Sequence, residues 1–568
     1  MCGIWGYFSI KSHKLHFYNS FMKIKHRGPD RTIFIDSGNY KLGFHRLAIM
    51  DTKILGDQPF TFSYTIDDVR KTIYVMCNGE IYNYHEIISS EDFKETLKLT
   101  SYIMKSNSDC EILLPLFIRY GMEHVLKMIR GEFAISILEI SETETSKNYN
   151  LYLGRDRFGI RPLFFFQEEN SLGFCSEMKG LIDLTNENIK VFPPRSFLTL
   201  SQSSNSDNMI VDFKSYYDIS SDLIDFGDEI SLETIKTMIR KQFKKSVKSM
   251  LCSDRELGCL LSGGLDSSLV SSIASKYLQK RGKKLKTFSI GMPNSPDALY
   301  AKMVADHIGS DHTNIVIEDS EWLKSLKKVI YITETYDITT IRATTGQYLI
   351  SKWISENTNI KVLLIGDGSD ELTSGYLYFH KAPSPEDSHN ENVRLLTDIH
   401  YYDVLRADRG IASNGLEARV PFLDYDFVKL YLSLDKNLRQ PQEEIIEGKP
   451  VKCEKWLLRK SFEDSNLLPK KVLWRKKEAF SDGVSSTVKS WYEIIQERIN
   501  LEISESYFNK NIKKYNGYLV PHTKEALYYH EIFDSFFPKQ YSILNYYWLP
   551  KWIPGITDPS ARILSIYK

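Results

Sequence analysis

The apolar residues of this chain follow one pattern before residue 200 and a different one after residue 230. The first part carries short apolar runs of strand length and only about two helical patterns, near 84–98 and 109–128. In the later part, apolar runs of strand length alternate with helical patterns. We therefore expect a β-rich domain with layered helices, followed by a parallel α/β sheet that binds ligands at the carboxyl ends of its strands. At 568 residues the chain is also too long for a single core.

The boundary between the two predicted domains is a polar stretch, SQSSNSDN at 201–208, which reads as a linker. We place the domains at 1–205 and 213–568. The strands predicted for the first domain lie at 42–50, 73–77, 133–140 and 151–166. The second domain begins with an amphipathic helix over 230–251. Its predicted strands lie at 257–261, 287–291, 313–317 and 362–366, and the chain beyond about residue 395 looks mainly helical.

Charge and composition exclude several classes of protein. The 73 basic and 73 acidic residues give a formal net charge of zero, so a general polyanion-binding surface is not indicated. No apolar stretch approaches the ~18 residues of a membrane span, and the start of the chain lacks the basic segment of a signal peptide. The seven cysteines show no paired metal-ligand spacing and suit a reducing compartment. We expect a soluble cytosolic protein whose partners include neither nucleic acid nor membrane.

The run LLSGGLDSS at 260–268 follows a buried strand and begins a helix predicted near 267–281. Its glycines allow backbone N–H groups to approach an anion, its hydroxyls add donors, and the helix N-terminus contributes its positive end. A carboxylate beside a phosphate is repulsive unless a cation intervenes, so Asp266 is predicted to bind Mg²⁺. The Walker pattern GxxxxGK[ST] is absent. The alternative is a serine-glycine turn that only caps the helix.

A second loop, GDGSDE at 366–371, follows the last predicted strand. Two glycines and three carboxylates at the carboxyl end of a strand are expensive for stability alone, but they fit a metal and a nucleotide. We expect Asp370 to join Asp266 on Mg²⁺. Asp367 is expected to lie near the reacting phosphorus or to position the attacking amine. The alternative is a solvated acidic turn.

Cys2 directly follows the initiator methionine and is small enough for that methionine to be removed. The α-amine released on Cys2, with an unperturbed pKa of about 7.7–8.0, would be a base on the same residue as the thiol. The position alone is a weak sign of a nucleophile, so the alternative is a cysteine without a catalytic role. The rest of the domain favours the nucleophile.

Four further residues and a backbone N–H of the first domain fit free glutamine. The amide of Asn78 and the N–H of Gly79 can point at one developing oxyanion, an effect of ~3–4 kcal/mol per donor. Arg46 can clamp an α-carboxylate bidentately. Asp109, with help from Glu80, can accept an α-ammonium group. Two histidines are expected to be structural rather than catalytic: His26, in the bracing turn HRGPD, and His45.

The motifs of both domains resemble those of one enzyme family. MCGIWG, HRGPD, FHRLAIMD, NGEIYN and SEMKGL are similar to motifs of class II glutamine amidotransferases. LLSGGLDSS, SIGMPNSPD, ETYDITTIRA, GLEARVPFLD and KEAFSDGV resemble asparagine synthetases of the glutamine-hydrolysing type, and YLYFHKAPSPE and ITDPSARILSIYK look closest to the eukaryotic branch. The resemblance covers almost the whole chain in family order. It implies an αββα N-terminal-nucleophile glutaminase domain, followed by a parallel α/β ATP-pyrophosphatase domain of the adenine nucleotide α-hydrolase type.

Carried over residue by residue, the resemblance implies a role for each matching position. The implied catalytic residues are Cys2, which forms a glutamyl thioester, Asn78, Gly79, Asp367 and Lys477. The implied glutamine-binding residues are Arg46, Leu47, Ala48, Ile49, Met50, Asn78, Gly79, Glu80 and Asp109. The implied ATP-binding residues are Leu260, Ser262, Gly263, Gly264, Asp266, Ser267, Ile290, Ile365, Gly366 and Lys477, the last of which neutralises charge on the α-phosphate. The implied Mg²⁺ ligands are Asp266 and Asp370. The implied lining of the aspartate or ammonia path is Arg342, Glu417 and Arg419.

The reaction implied by the resemblance is ATP-dependent synthesis of L-asparagine from L-aspartate and L-glutamine. Aspartate is activated as β-aspartyl-AMP, and ammonia released at Cys2 passes through a dry passage between the domains. The other products are AMP, pyrophosphate and glutamate, so the chain would be a carbon–nitrogen ligase that uses glutamine as amido donor. The family also suggests a homodimer.

One loop departs from the family pattern. The family usually has Ser-Gly-Glu-Gly-Ser-Asp-Glu where this chain has IGDGSDE at 365–371. Ile365 lacks the hydroxyl of the family serine. The side chain of Asp367 is one methylene shorter than that of the family glutamate, which moves its carboxylate back by about 1.3–1.5 Å. Because a misplacement of about 1 Å can cost ~10²-fold in rate, we expect slower turnover. The sign of the charge is retained, so we expect a working enzyme. The alternatives are an inactive or regulatory glutamine- and ATP-binding relative, and a different amidating ligase related to β-lactam synthetase, a branch that usually lacks a working cysteine at position two.

Overall fold

A computed structural model describes residues 1–11, 16–203, 208–227, 230–478, 480–486 and 489–564 of the chain. The chain divides into two compact units. The first unit comprises Met1–Asp218 together with Cys252–Arg255, and the second comprises Ile219–Leu251 and Glu256–Lys568. No helix within the described ranges is long and apolar enough to cross a membrane.

The described part of the first unit contains two antiparallel sheets. Its strands are β1 (Gly3–Ser9), β2 (Arg31–Asp36), β3 (Tyr40–Arg46), β4 (Phe60–Ile66), β5 (Val69–Ile81), β6 (Gly131–Glu142), β7 (Lys147–Arg155), β8 (Phe164–Gln167), β9 (Ser171–Cys175), β10 (Lys190–Val191), β11 (Ser196–Ser203) and β12 (Met209–Ser215). One sheet has the order β10-β8-β9-β1-β3-β2, and the other has the order β12-β11-β7-β6-β5-β4. Its helices are α1 (Phe17–Met22), α2 (Tyr84–Ile88), α3 (Glu91–Thr100) and α4 (Leu113–Met128), with a kink in α4 at Gly121.

Alternation of side chains along each strand gives this unit its layers. In β1, Ile4 and Phe8 join a buried cluster with side chains from both sheets, so this cluster fills the space between the sheets. On the opposite face of β1, Trp5 packs against aromatic rings that include Phe21. The outer face of the second sheet buries α3 and α4 through a separate apolar cluster. The layers therefore run helix, sheet, sheet, helix, which confirms the predicted αββα fold.

The described ends of the segment predicted as a linker, residues 201–203 and 208, belong to the first unit. Residues 201–203 are the end of β11, which pairs antiparallel with β12, and residues 204–207 lie outside the described part of the chain. Both strands are in the second sheet, and Leu198 and Leu200 of β11 bury their side chains between the two sheets. The sequence suggested a linker because the stretch is polar, and polarity alone does not separate a hairpin from a domain boundary. The first segment of this compact unit extends to Asp218.

Two other predictions for this unit need correction. The run 151–166 was predicted as one strand-like segment, but it contains the end of β7 and the start of β8, which are in different sheets. The helix predicted at 84–98 is two helices, α2 and α3. The break lies at Ser90, whose side chain caps the N-terminus of α3. The remaining predicted strands coincide with β3, β5 and β6, except that 47–50 continues beyond β3 without strand structure.

The described residues of the second unit form a five-stranded parallel sheet with the order β15-β14-β13-β16-β17. Its strands are β13 (Leu257–Leu260), β14 (Lys286–Gly291), β15 (Asp311–Val316), β16 (Val362–Leu364) and β17 (Glu417–Arg419), with a separate hairpin of β18 (Gln442–Ile446) and β19 (Lys449–Cys453). The strand order reverses between β13 and β16, and a parallel sheet binds ligands at such a switch point. The four predicted strands therefore coincide with β13, β14, β15 and β16.

Helices make up most of the rest of this unit, as predicted. They are α5 (Leu232–Ser249), α6 (Leu265–Gln279), α7 (Pro296–Ile308), α8 (Asp319–Thr333), α9 (Ile338–Asn357), α10 (Ser369–Leu372), α11 (Pro385–Asp398), α12 (Asp403–Ala412), α13 (Tyr425–Leu432), α14 (Trp456–Phe462), α15 (Lys470–Leu473), α16 (Phe480–Gly483), α17 (Trp491–Glu502), α18 (Glu505–Asn511) and α19 (Lys524–Phe536). The amphipathic helix predicted over 230–251 is α5, and the helix after the glycine loop is α6.

Candidate active sites

Cys2 directs its thiol into the space between the two sheets of the first unit. It packs against the buried cluster that holds Ile4 and Phe8, which lie on the same face of the chain. Its Sγ lies 3.6 Å from the carbonyl oxygen of Leu47, and its own carbonyl accepts a hydrogen bond from Nε of Arg27 at 2.9 Å. The predicted nucleophile and the predicted glutamine-binding segment 46–50 are therefore neighbours.

The side chain of Asn78 faces the same space from β5. Met76, two residues earlier, belongs to the cluster between the sheets, and the β5–β6 register continues without interruption through Asn78. Asn78 is fully buried, yet within the described ranges neither its Oδ1 nor its Nδ2 has a hydrogen-bond partner. A buried unpaired amide is costly unless a ligand completes it. This observation favours Asn78 as a donor to bound substrate.

The surroundings of position 79 leave no room for a side chain and therefore require glycine. Its φ is +153°, and a Cβ there would lie 2.0 Å from the carbonyl oxygen of Glu132 on β6. Just beyond it, Oδ2 of Asp109 accepts the backbone N–H of Ile81 at 2.6 Å. Glu80 and Asp109 are both buried. The structure thus brings Asp109 to the end of β5 that carries the predicted oxyanion donors.

Arg46 is surrounded by its own loop. Its Nη1 donates to Asp57 at 2.6 Å and to the carbonyl of Lys53 at 2.7 Å, and its Nη2 donates to the carbonyls of Met50 and Asp51. The sequence predicts a guanidinium that clamps a substrate carboxylate. In the structure this guanidinium instead binds a protein carboxylate and three backbone carbonyls, so the clamp stays a prediction.

Met1 is buried, with 1% of its surface exposed. Its Sδ lies 2.6 Å from Nη1 of Arg161 and 3.7 Å from Nη2 of Arg27, and Arg161 also pairs with Glu132 at 2.8 Å. While Met1 is present, the nitrogen of Cys2 is an amide rather than an amine. Removal of Met1 would create the α-amine in a buried polar pocket.

The predicted bracing residues are structural. Glu177, in the SEMKGL motif, binds His26 at 3.0 Å, Arg27 at 2.8 Å and Lys179 at 2.5 Å. His45 stacks on Phe21, and burial lowers the pKa of His45 to about 4, so its ring is neutral near pH 7. Both histidines therefore support the fold around Cys2, as predicted.

The second unit contains a cleft of about 1680 Å³, including the part open to solvent. The predicted residues that line it are Leu260, Ser262, Gly264, Asp266, Ser267, Ile290, Ile365, Gly366, Asp367, Asp370 and Lys477. Because β13 and β16 are adjacent, their following loops meet at the switch point of the sheet. The structure thus gathers almost the whole predicted nucleotide site in one cleft.

Contacts made by its own serine hydroxyls fix the conformation of the loop after β13. Ser262 Oγ and Ser267 Oγ lie 3.0 Å apart, and Gly264 N donates to Ser262 Oγ at 3.3 Å. Gly263 does not line the cleft, but its φ of +74° and its contact with the backbone of Tyr300 leave no room for a side chain. The loop can present backbone N–H groups and hydroxyls to an anion at the N-terminus of α6.

A row of alternating carboxylates and ammonium groups runs through the cleft. Lys455 Nζ lies 2.6 Å from Oδ2 of Asp266 and 2.7 Å from Oδ1 of Asp370, and Lys477 Nζ lies 2.6 Å from Oδ2 of Asp370. Burial alone would raise the pKa of Asp370, but the two ammonium groups outweigh it and hold this pKa well below its usual value. Asp370 is therefore ionised. Its carboxylate and that of Asp266 converge on one cation position, that of the Lys455 ammonium group.

Asp367 faces the cleft beside a guanidinium. Its Oδ1 accepts from Nη2 of Arg406 at 2.9 Å, and Nε2 of Gln347 lies 3.4–3.5 Å from its two oxygens. Burial raises the pKa of Asp367 above its ordinary value, Arg406 opposes this shift, and the nearby Asp403 reinforces it. The side chain of Asp367 thus lies on the cleft wall, and its place beside the reacting phosphorus stays a prediction.

Arg342, predicted to line the aspartate or ammonia path, does reach the cleft. Its guanidinium, however, makes four hydrogen bonds of 2.6–2.9 Å to Glu525 and Asp558, which connects α9 with α19 and the C-terminal segment. Glu417 and Arg419 bind each other at 2.8 Å within β17 and do not line the cleft. All three predictions rested on matching sequence segments, which do not reveal the partners of a charged group.

Sequence reasoning missed several cleft residues: Lys455, Arg406, Gln347 and Arg475. Arg475 pairs with Asp297 at 2.6 Å and lies over the ring of Tyr300 at 4.0 Å. These residues are single basic or amide side chains in ordinary helical or loop segments. No local pattern marks them, and only the three-dimensional fold brings them to the two loops.

Comparison with known proteins agrees with this geometry. The family model for asparagine synthase matches residues 238–395 and 384–555, and the model for a glutamine amidotransferase domain matches 1–214. Proteins described as asparagine synthetase (glutamine-hydrolyzing) from Gallus gallus and Pongo abelii are each 43% identical over 589 aligned residues, and that from Homo sapiens is 42% identical. Each alignment covers 100% of this chain and 99% of the relative. The chain belongs to the glutamine-hydrolysing asparagine synthetase family.

Proposed function

We propose that this chain catalyses the ATP-dependent synthesis of L-asparagine from L-aspartate and L-glutamine. The nitrogen comes from the side-chain amide of glutamine, and the other products are glutamate, AMP and pyrophosphate. The chain is then a carbon–nitrogen ligase with two separate chemistries, amide hydrolysis in the first unit and carboxylate activation in the second.

In the first reaction, the thiolate of Cys2 attacks the side-chain amide of glutamine after Met1 has been removed. The α-amine of Cys2 takes the thiol proton and returns it to the leaving ammonia. The unpaired amide of Asn78 and the N–H of Gly79 stabilise the oxyanion of the tetrahedral intermediate. Water then hydrolyses the glutamyl thioester and releases glutamate.

In the second reaction, the β-carboxylate of aspartate attacks the α-phosphorus of ATP. The apolar side chains of Leu260 and Ile290 suit an adenine ring, and the loop after β13 suits the phosphates. Lys477 and Lys455 supply positive charge close to the leaving pyrophosphate. Ammonia then displaces AMP from β-aspartyl-AMP, and it has to arrive unprotonated because ammonium is not a nucleophile.

The donor set also fits Mg²⁺. Asp266 and Asp370 both bind one ammonium group, that of Lys455, so their carboxylates converge where a cation would be held. Mg²⁺ is commonly bound by one or two carboxylates together with substrate phosphates. When bound, Mg²⁺ would neutralise charge on the phosphates of ATP. Lys455 would then have to move from one or both carboxylates toward the phosphates.

The observation that carries the proposal is the row of alternating charges at the switch point, which has little use without a polyphosphate. Its test is pyrophosphate release with ATP, aspartate and glutamine, repeated with each substrate omitted. We expect release to require aspartate and ATP, and asparagine to form with either glutamine or ammonia. Release that is independent of aspartate, or asparagine formation without AMP, would contradict the proposal.

A cytoplasmic location and a homodimer complete the proposal. The location is supported by the seven cysteines, which show no paired metal-ligand spacing and suit a reducing compartment. The homodimer is supported only by resemblance to the family. Light scattering of the purified chain measures its mass directly, and a mass of 66.0 kDa would identify a monomer.

A further inference from the structure

Asp51, immediately after the glutamine segment (Arg46–Met50), connects several parts of the first unit. Its Oδ1 accepts the backbone N–H of Lys53 at 3.0 Å, and its Oδ2 accepts that of Asn107 at 2.8 Å. Its carbonyl oxygen accepts from the guanidinium of Arg46. Asp51 is 5% exposed and has a φ of +50°, which is uncommon outside glycine and asparagine or aspartate.

Asn107 is two residues before Asp109, the predicted acceptor of the substrate ammonium group. A carboxylate that binds the backbone at Asn107 and at Lys53 fixes the spacing between the Asp109 segment and the loop around Arg46. These are the two groups expected to bind opposite charges of the same zwitterion. A change in their spacing of even ~1 Å is enough to weaken such a fit.

A second aspartate fixes Asp51 from outside this loop. Oδ2 of Asp254 accepts the backbone N–H of Asp51 at 2.8 Å, and the backbone N–H of Asp254 donates to the carbonyl of Ile49 at 3.1 Å. Asp254 therefore forms hydrogen bonds with the residues on both sides of Met50, Ile49 and Asp51. Residues 252–255 belong to the first compact unit, although their chain continues directly into β13 and the nucleotide loop.

We propose that Asp51 is a positioning residue of the glutamine site and that Asp254 holds it in place. Asp51 sets the relative positions of Arg46 and the Asn107–Asp109 segment. Asp254 makes this arrangement depend on the chain segment that leads into β13. The inference rests on the proposed function, because it assumes that these groups bind glutamine.

The pKa of Asp51 agrees with this role. Burial alone would raise it, but the N–H groups of Asn107 and Lys53 and the charge of Arg46 lower it below its ordinary value. The ionised form is thus the one that the loop binds. Replacement by asparagine tolerates the same backbone conformation and nearly the same shape, but it removes the charge and one acceptor oxygen.

The test compares full-length variants in two assays, glutamine hydrolysis and ammonia-dependent asparagine synthesis. For Asp51→Asn we expect KM for glutamine to rise about tenfold or more, with a smaller change in kcat. Asp254→Ala is expected to raise the same KM several-fold, whereas Asp254→Asn keeps an acceptor oxygen and stays near the parent. The matched control is Asp68→Asn, an exposed aspartate with a φ of +60° in the turn between β4 and β5.

Ammonia-dependent synthesis separates positioning from general damage. We expect the rate of this synthesis to stay within about twofold of the parent in all four variants. In the double variant Asp51→Asn/Asp254→Ala, we expect the rise in KM for glutamine to be less than the product of the rises in the two single variants. An unchanged KM for glutamine in Asp51→Asn overturns the inference. A parallel loss of ammonia-dependent synthesis also overturns it, because the role is then structural. If the parent and the Asp68→Asn control themselves fail to hydrolyse glutamine, the proposed function is wrong instead.

Discussion

Replacement of Lys455 by methionine is the sharpest perturbation of the nucleotide cleft. Lys455 is 1% exposed, and its ammonium group lies 2.6 Å from Asp266 and 2.7 Å from Asp370. Asp370 keeps Lys477 in the variant, whereas Asp266 keeps the hydroxyl of Ser369 and loses this ammonium group. Methionine has nearly the same length and no charge, so the variant removes the cation with little change in packing.

The size of the effect follows from the burial of the pair. Removal of one preorganised group that stabilises developing charge in the transition state costs about 2.7–4 kcal/mol in activation free energy. The side chains of Asp266 and Asp370 are 16% and 19% exposed, so solvent relieves part of this cost and the lower end applies. At about 1.4 kcal/mol per factor of ten, about 3 kcal/mol corresponds to a loss of ~10²-fold. We expect a loss of this size in the rate of asparagine formation.

The assay is pyrophosphate release with saturating ATP, aspartate and ammonia, which bypasses Cys2. Glutamine hydrolysis by the same sample shows whether the first unit is intact, and we expect it to stay within about twofold of the parent. Lys452→Met, an exposed lysine on β19, is the matched control. Synthesis by Lys455→Met at more than a third of the parental rate would refute the reasoning, because the row of charges would then be dispensable.

Three further predictions follow from the sites. Cys2→Ala should abolish glutamine use and keep ammonia-dependent synthesis; loss of both activities in a folded variant would contradict the division of labour. Asp367→Glu should raise synthesis by up to ~10²-fold, because the carboxylate moves toward its family position, without a change in glutaminase activity; an unchanged synthesis rate would disprove this. Burial lowers the pKa of His45 to about 4, so its contribution to stability is present above pH 6.5 and is lost as pH falls toward 4. Urea unfolding at pH 7 and pH 5 should therefore show a smaller pH dependence for His45→Gln than for the parent, and equal dependence would contradict this.

The nucleotide loops could be predicted because their signals are local. Strand, glycine-rich loop and helix follow one another within 257–279, and the second loop directly follows β16. Parallel connectivity then places both loops at the same edge of the sheet without further information. For the same reason, the fold of the second unit followed from alternating apolar runs.

Partners that are distant in sequence could not be predicted in this way. Lys455 lies 189 residues beyond Asp266 and yet contacts it, and no pattern around Lys455 announces this. The motif around Arg46 suggests a guanidinium that is available to bind substrate. In the structure the loop that follows folds back, and Lys53 and Asp57 accept hydrogen bonds from this guanidinium. The segment at 201–208 looks like a linker because it is polar. Its described residues 201 and 202 instead pair with β12, and composition does not encode that pairing.

Transfer of nitrogen from glutamine to asparagine tests the central claim most directly. The full-length enzyme, freed of Met1, is incubated with ATP, Mg²⁺, aspartate and glutamine that carries heavy nitrogen in its side-chain amide, and the products are analysed by mass spectrometry. The account predicts asparagine with the heavy nitrogen in its side chain, together with equal amounts of AMP and pyrophosphate. Glutamine hydrolysis without labelled asparagine, or labelled asparagine accompanied by ADP and phosphate, would contradict it.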